Sequence, residues 1–271
     1  MMQKKIAVVF DSAGTLLNMY RAAKDIVSGD YLDKIITTTL VGQKPNQGLV
    51  VLHTDPEKIM NCQSNKRIYD FLEQYNVKIS LSCSSSPMTL EEVYESIKND
   101  RLTTMQDLHN VVVIIRNKCP NVFYLGIGII INAKSRSIVY TICTGGRLFS
   151  HTSITLKLLE EMGVDAYIAS GDSMRNLSNL AKMLNIPIER VYDVATPKKK
   201  EWVINHLKEN YDKVVMVGDG LNDILAFRSA DKSILSIQQT GKPLKQLSCE
   251  ADTVITDIIE IIDIVKGLLQ D

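Results

Sequence analysis

The chain lacks any excess of charge: 31 basic residues face 31 acidic ones. That balance removes the broad positive field by which a nucleic-acid binder gathers phosphates. Lys198, Lys199 and Lys200 form the densest basic patch, and for the first two a solvated helix start is the simplest reading. The five cysteines, at 62, 83, 119, 143 and 249, contain no C-x-x-C pair. Their spacing argues against structural zinc, a redox dithiol and a secreted disulfide framework, and fits a reducing cytoplasm.

Long apolar runs are missing too. No stretch reaches the roughly 20 residues needed to span a bilayer. The N-terminal Met1-Met2-Gln3-Lys4-Lys5 meets charge before a signal-peptide hydrophobic region can form. Ile255–Leu269 is interrupted by Asp257, Glu260, Asp263 and Lys266, the pattern of an amphipathic C-terminal helix. There is no internal repeat and no Pro-, Gln- or Gly/Ser-rich tract, so disorder is not expected. At 271 residues there is room for a core of about 150 residues plus an inserted domain.

What is present is a strand–loop–helix rhythm. Lys4–Phe10 is a short apolar run that stops at Asp11-Ser12-Ala13-Gly14-Thr15, as a buried parallel strand stops at the edge of its sheet. The rhythm resumes with a helix over His151–Met162, a strand over Val164–Ala169, the loop Ser170-Gly171-Asp172, and a helix over Ser173–Leu184. Arg190–Val194 reads as a brief strand. Thr196 followed by Pro197 marks an N-cap and the proline that a first helical turn accepts, opening a helix to about Asn210. Lys213–Val217 is the next strand, and it closes in Gly218-Asp219-Gly220-Leu221-Asn222-Asp223.

Such alternation predicts an α/β doubly wound parallel sheet, whose ligands bind beyond the carboxyl ends of the strands. Between about Tyr20 and Arg147 the texture changes to an inserted α+β cap. Strands are expected over Lys34–Val41, Gly48–His53, Val77–Ser82, Val111–Arg116, Leu125–Asn132 and Ser137–Cys143. The last two are joined by a hairpin turn at Ala133–Arg136. Helices are expected over Asn65–Tyr75 and Leu90–Asn99, and Thr144-Gly145-Gly146 reads as a hinge. The expected division is residues 1–19 and 148–271 for the core and 20–147 for the cap.

The loop residues suit phosphoryl transfer. A carboxylate can attack phosphorus and form an acyl phosphate, splitting one difficult displacement into two, and Asp11 is the candidate nucleophile. Mg²⁺ prefers oxygen ligands and takes one or two protein carboxylates. Asp11, the backbone carbonyl of Ala13, Asp219 and Asp223 would supply its ligands. Ser170 and Gly171, before a helix start, with Lys200 and Asn222, would bind the phosphoryl oxygens, and Lys200 would also take part in catalysis.

The four motifs, Asp11-x-x-Gly14-Thr15, Ser170-Gly171-Asp172, Pro197-x-x-Lys200 and Gly218-Asp219-Gly220-x-Asn222-Asp223, resemble in order and type those of the haloacid dehalogenase (HAD) superfamily. The resemblance is greatest to the phosphorylation domain of P-type ATPases, which carry an insertion at the same place. It implies a HAD-like Rossmann-type core, Mg²⁺ and a small phosphate ester or anhydride as substrate, nucleotides included. The chain departs from the pattern at Ala13. Many HAD phosphatases have an acid/base Asp there, and its loss typically costs about 10² to 10⁴ in rate. Two other readings compete: a noncatalytic phosphate-sensing or partner-binding protein, and a C–P bond hydrolase similar to phosphonoacetaldehyde hydrolases, which use a cap lysine as a Schiff base; this cap has several lysines, Lys24 and Lys34 among them.

Overall fold

A computed structural model describes residues 4–119, 124–243 and 245–270; the leader reading of residues 1–3 lies outside them. The chain forms two compact units, Met1–Met19 with Arg147–Asp271, and Tyr20–Gly146. Strand β1 (Ile6–Phe10) opens the first unit, and all five of its residues are buried. β2 (Leu17–Asp25) leads into the second unit, followed by β3 (Tyr31–Asp33), α1 (Thr37–Gly42), β4 (Gln47–His53), α2 (Pro56–Met60), α3 (Ile68–Gln74), β5 (Lys78–Ser84), α4 (Leu90–Asn99), α5 (Met105–Lys118) and β6 (Tyr124–Asn132). β7 (Ser137–Leu148) returns. The first unit then continues through α6 (Thr152–Glu161), β8 (Asp165–Ala169), α7 (Met174–Met183), β9 (Val191–Tyr192), α8 (Pro197–Leu207), β10 (Lys213–Gly218), α9 (Ile224–Ser229), β11 (Lys232–Ser236), α10 (Lys245–Ser248), β12 (Thr253–Ile255) and α11 (Ile261–Gln270).

The first unit is built on a sheet in the order β12-β11-β10-β1-β8-β9, every described pair parallel. β1 sits between β10 and β8, which is why its Ile-Ala-Val-Val-Phe run has no polar face. Ala7 and Val9 meet Val203, Ile204 and Leu207 of α8 in one buried cluster. The parallel arrangement brings the ends of β1, β8 and β10 to one edge, and with them all the motif loops.

The second unit carries a sheet in the order β3-β2-β7-β6-β4-β5. Its side chains alternate between two covered faces: Ala22, Ile129 and Ile131 join the cluster of α3, α4 and α5, whereas Ala23 and Ile130 join Leu40 and Val41 of α1. With both faces covered, the inner strand β6 runs apolar through Ile129, Ile130 and Ile131, whereas the edge strand β5 keeps a polar–apolar alternation from Lys78 to Ser84.

Four local readings need correction. Lys34–Val41 is not a strand: Lys34 has φ +52°, which ends β3, and Thr37–Gly42 winds into α1 to bury Leu40 and Val41. Val111–Arg116 is the middle of α5. Asp107 accepts the N–H of Thr104 at the helix start, and Met105, Leu108, Val111, Val112 and Ile115 make one buried stripe at helical spacing. The β-branched preference of the Val-Val-Val-Ile-Ile run yields to that stripe. The strand expected over Ser137–Cys143 runs on through Thr144-Gly145-Gly146, which are laddered onto Gly126, Leu125 and Tyr124 of β6, and the first unit resumes at Arg147. The expected C-terminal helix over Ile255–Leu269 is shorter. Asp257 accepts the N–H of Ile259 in a separate turn, and α11 starts at Ile261.

Candidate active site

Asp11 is the first residue after β1, and its N–H donates to the carbonyl of Val217 at 2.9 Å, tying the end of β1 to that of β10. The chain then doubles back: the N–H groups of Leu16 and Leu17 both reach the Ser12 carbonyl, and the Gly14 N–H reaches Leu17. Gly14 has φ +82°, and a Cβ there would lie 1.9 Å from Oδ2 of Asp219. Glycine is required on both counts, because the Asp219 carboxylate rests against the bare Cα. Ser236 and Gln238, after the apolar stretch of β11, donate to the carbonyls of Gly14 and Thr15 and hold the same turn.

Lys200 enters from the first turn of α8. Thr196 caps that helix by accepting the N–H of Lys199, with Pro197 at its first position. The Lys200 side chain is fully buried, and Nζ stands 2.6 Å from Oδ1 of Asp11 and 2.6 Å from Oδ1 of Asp223. Asp223 is also fully buried. Its second oxygen accepts the N–H groups of Asp219 and Gly220, which fixes the loop after β10. Gly218 leaves room for this carboxylate, since a Cβ there would approach it to 2.4 Å.

One carboxylate oxygen from each of Asp11, Asp219 and Asp223 lies within 4.8 Å of the other two. Three carboxylates, two of them buried, face one ammonium, so their full ionisation leaves two negative charges uncompensated. Burial, then the charge of Asp223, push the Asp11 carboxyl up to about 7, against the pull of Lys200. Burial works against the Lys200 ammonium, but the two carboxylates outweigh it and raise its pKa. An all-oxygen set with two uncompensated charges fits a hard divalent cation.

Ser170 stands at the end of β8, its N–H on the Tyr192 carbonyl and its carbonyl on the Ala195 N–H. Its Oγ is 2.6 Å from that of Ser12, which links it to the residue after Asp11. Gly171 beside it is exposed, with open space where a Cβ would be. Ala13 is half-buried and forms a single bridge with Leu17. Asn222 stands apart from the buried set: it is exposed, its Oδ1 beside Gly220. Sequence reasoning missed the side chains of Ser12 and Asp172, which are hydrogen bonded at 2.9 Å. The signal was the presence of both inside motifs already singled out. For Gln238 there was no signal.

The family model described as a haloacid dehalogenase-like hydrolase matches residues 7–231. A protein from Methanocaldococcus jannaschii described as a soluble P-type ATPase-like phosphatase is 31% identical over 266 residues, which cover 98% of this chain and 94% of the relative. The chloroplastic copper-transporting ATPase PAA1 of Arabidopsis thaliana is 37% identical over 76 residues, 28% of this chain but 8% of the transporter. Among solved structures, the catalytic domain of the CPx-ATPase CopB-B matches over 99% of this chain and 90% of its own, with 17% identity and a TM-score of 0.47. Among the described residues no helix is long and apolar enough to cross a membrane. With a family model spanning most of its length and the motif loops gathered at one edge of a parallel sheet, the chain belongs to the haloacid dehalogenase-like hydrolases.

Proposed function

We propose that this protein is an Mg²⁺-dependent phosphohydrolase that acts on a small phosphate ester or anhydride through an acyl phosphate on Asp11. The observation that carries the reading is the Asp11–Lys200–Asp223 bridge, with Asp219 in the same carboxylate cluster. The relative's description as a phosphatase points the same way. In the first step a carboxylate oxygen of Asp11 attacks phosphorus, and the bond from phosphorus to the leaving group breaks. In the second, water attacks phosphorus, and the Asp11 oxygen departs with its electron pair as inorganic phosphate forms.

Lys200 keeps the Asp11 carboxylate oriented and offsets part of the charge around it. The Ser170 hydroxyl, beyond the end of β8, donates to a phosphoryl oxygen. Asp11, Asp219, the Ala13 carbonyl and Asp223 would hold Mg²⁺, Asp223 mainly through its charge because its oxygens already serve Lys200 and two backbone N–H groups. When bound, the cation supplies charge neutralisation for the phosphoryl oxygens.

Ala13 offers no carboxylate to protonate a leaving group or to activate water. The first step therefore favours good leaving groups, such as nitrophenolate, a carboxylate or a nucleoside diphosphate, and the acyl phosphate breaks down slowly. The C–P bond reading is disfavoured at Lys24, because its hydrogen bond to Asp107 raises the ammonium pKa whereas a Schiff-base lysine needs it lowered. The test is turnover of nitrophenyl phosphate with and without Mg²⁺, together with acid-quench trapping of labelled protein. Wild type should trap label and Asp11→Asn should neither trap nor turn over. An Asp11→Asn protein with more than a tenth of wild-type activity refutes the assignment.

A further inference from the structure

One polar group beside the phosphoryl site has no part in the reaction above: the carboxylate of Asp172. Its Oδ2 lies 2.9 Å from Oγ of Ser12 and 3.3 Å from Oγ of Ser170, and the two hydroxyl oxygens are 2.6 Å apart. The Asp172 N–H also donates to Oγ of Ser170 at 3.2 Å. Ser12 is fully buried and Ser170 nearly so, so neither hydroxyl has bulk water as an alternative partner. Three oxygens thus form a closed triangle containing two hydroxyl protons.

An ionised carboxylate only accepts. The two protons fill the triangle completely: one points at Asp172, and the other lies between the hydroxyls. Neither is left to point outward. For Ser170 to donate to a phosphoryl oxygen it must withdraw its proton from the triangle. Either Asp172 then loses a donor, or two serine oxygens face each other at 2.6 Å with no proton between them.

We propose that Asp172 is a positioning residue that competes with phosphate for the Ser12 and Ser170 hydroxyl protons and so weakens retention of the inorganic phosphate product. This inference rests on Ser170 being a phosphoryl ligand. The neutral amide of Asn at 172 can donate into the triangle, which turns a hydroxyl proton outward. Phosphate then binds more tightly, a direction that general damage to the loop would not produce.

The experiment measures inorganic phosphate binding by calorimetry in excess Mg²⁺ for wild type, Asp172→Asn, Asp172→Ala and Ser170→Ala. Asp172→Asn should bind phosphate about tenfold more tightly than wild type, the scale of one freed hydroxyl donor to a charged group. Asp172→Ala should tighten binding in the same direction, and Ser170→Ala should weaken it. Weaker or unchanged binding in both Asp172 variants, with weakening in Ser170→Ala, overturns the competition and leaves the phosphoryl site standing. Unchanged binding in Ser170→Ala overturns the phosphoryl-site reading and this inference with it.

Discussion

Replacing Asp11 by Asn should make the protein inactive and, in the absence of metal, more stable above neutral pH. Burial and the neighbouring charge of Asp223 raise the Asp11 carboxyl from its ordinary value near 3.8 to about 7. Between those values the native state holds a proton that the unfolded chain has released, so stability falls as pH rises through the window. At about 1.4 kcal/mol for each tenfold in proton affinity, the gap bounds the loss at about 4 kcal/mol. An amide removes that term but weakens the contact with Lys200, which offsets about 1 to 2 kcal/mol. The net gain expected at pH 8 is therefore about 2 to 3 kcal/mol. The assay is urea unfolding of chelator-treated wild type and Asp11→Asn at several pH values from 4 to 8. Wild type should lose stability across the range while the variant changes much less. Mg²⁺ should then reverse the order, because it stabilises the state that binds it and the variant binds it less well. Parallel pH curves, or a variant less stable than wild type at pH 8 without metal, would refute the reasoning.

Asp219→Ala should raise the Mg²⁺ concentration needed for half-maximal turnover at least tenfold, and an unchanged metal titration would count against Asp219 as a ligand. Gly14→Ala should cost about 1 to 3 kcal/mol in unfolding experiments and most of the activity, because the new methyl falls 1.9 Å from the Asp219 carboxylate at a left-handed backbone; near wild-type values for both would show that the turn can move. Ala13→Asp should speed loss of the trapped phosphoenzyme in single-turnover measurements, and a slower decay would mean that the added carboxylate does not reach the attacking water.

The order of polar loops after apolar strands was readable because it depends on local chemistry. A fully buried strand such as Ile6–Phe10 needs an apolar run, and its end needs a turn, so Asp11, Ser170 and Asp219 stand at strand ends in the sequence as in the structure. Lys200 was readable for the same reason, as a lysine one turn into a helix opened by Thr196 and Pro197. What the chain could not declare locally was the identity of elements whose preference is reversed by packing. Val111–Arg116 looks like a strand until Thr104, Asp107 and the stripe from Met105 to Ile115 are taken together as a helix. Thr37–Gly42 likewise helixes because the sheet above it has a second face to cover. Contacts between residues far apart in the chain were the other thing only tertiary structure decided. Nothing near Gly14 in sequence says that Asp219 lies against its Cα, nor does anything near Asp172 say that its carboxylate meets Ser12. Those approaches arise when parallel strands bring their ends to one edge, and the buried charges collected there have energies that no single segment contains.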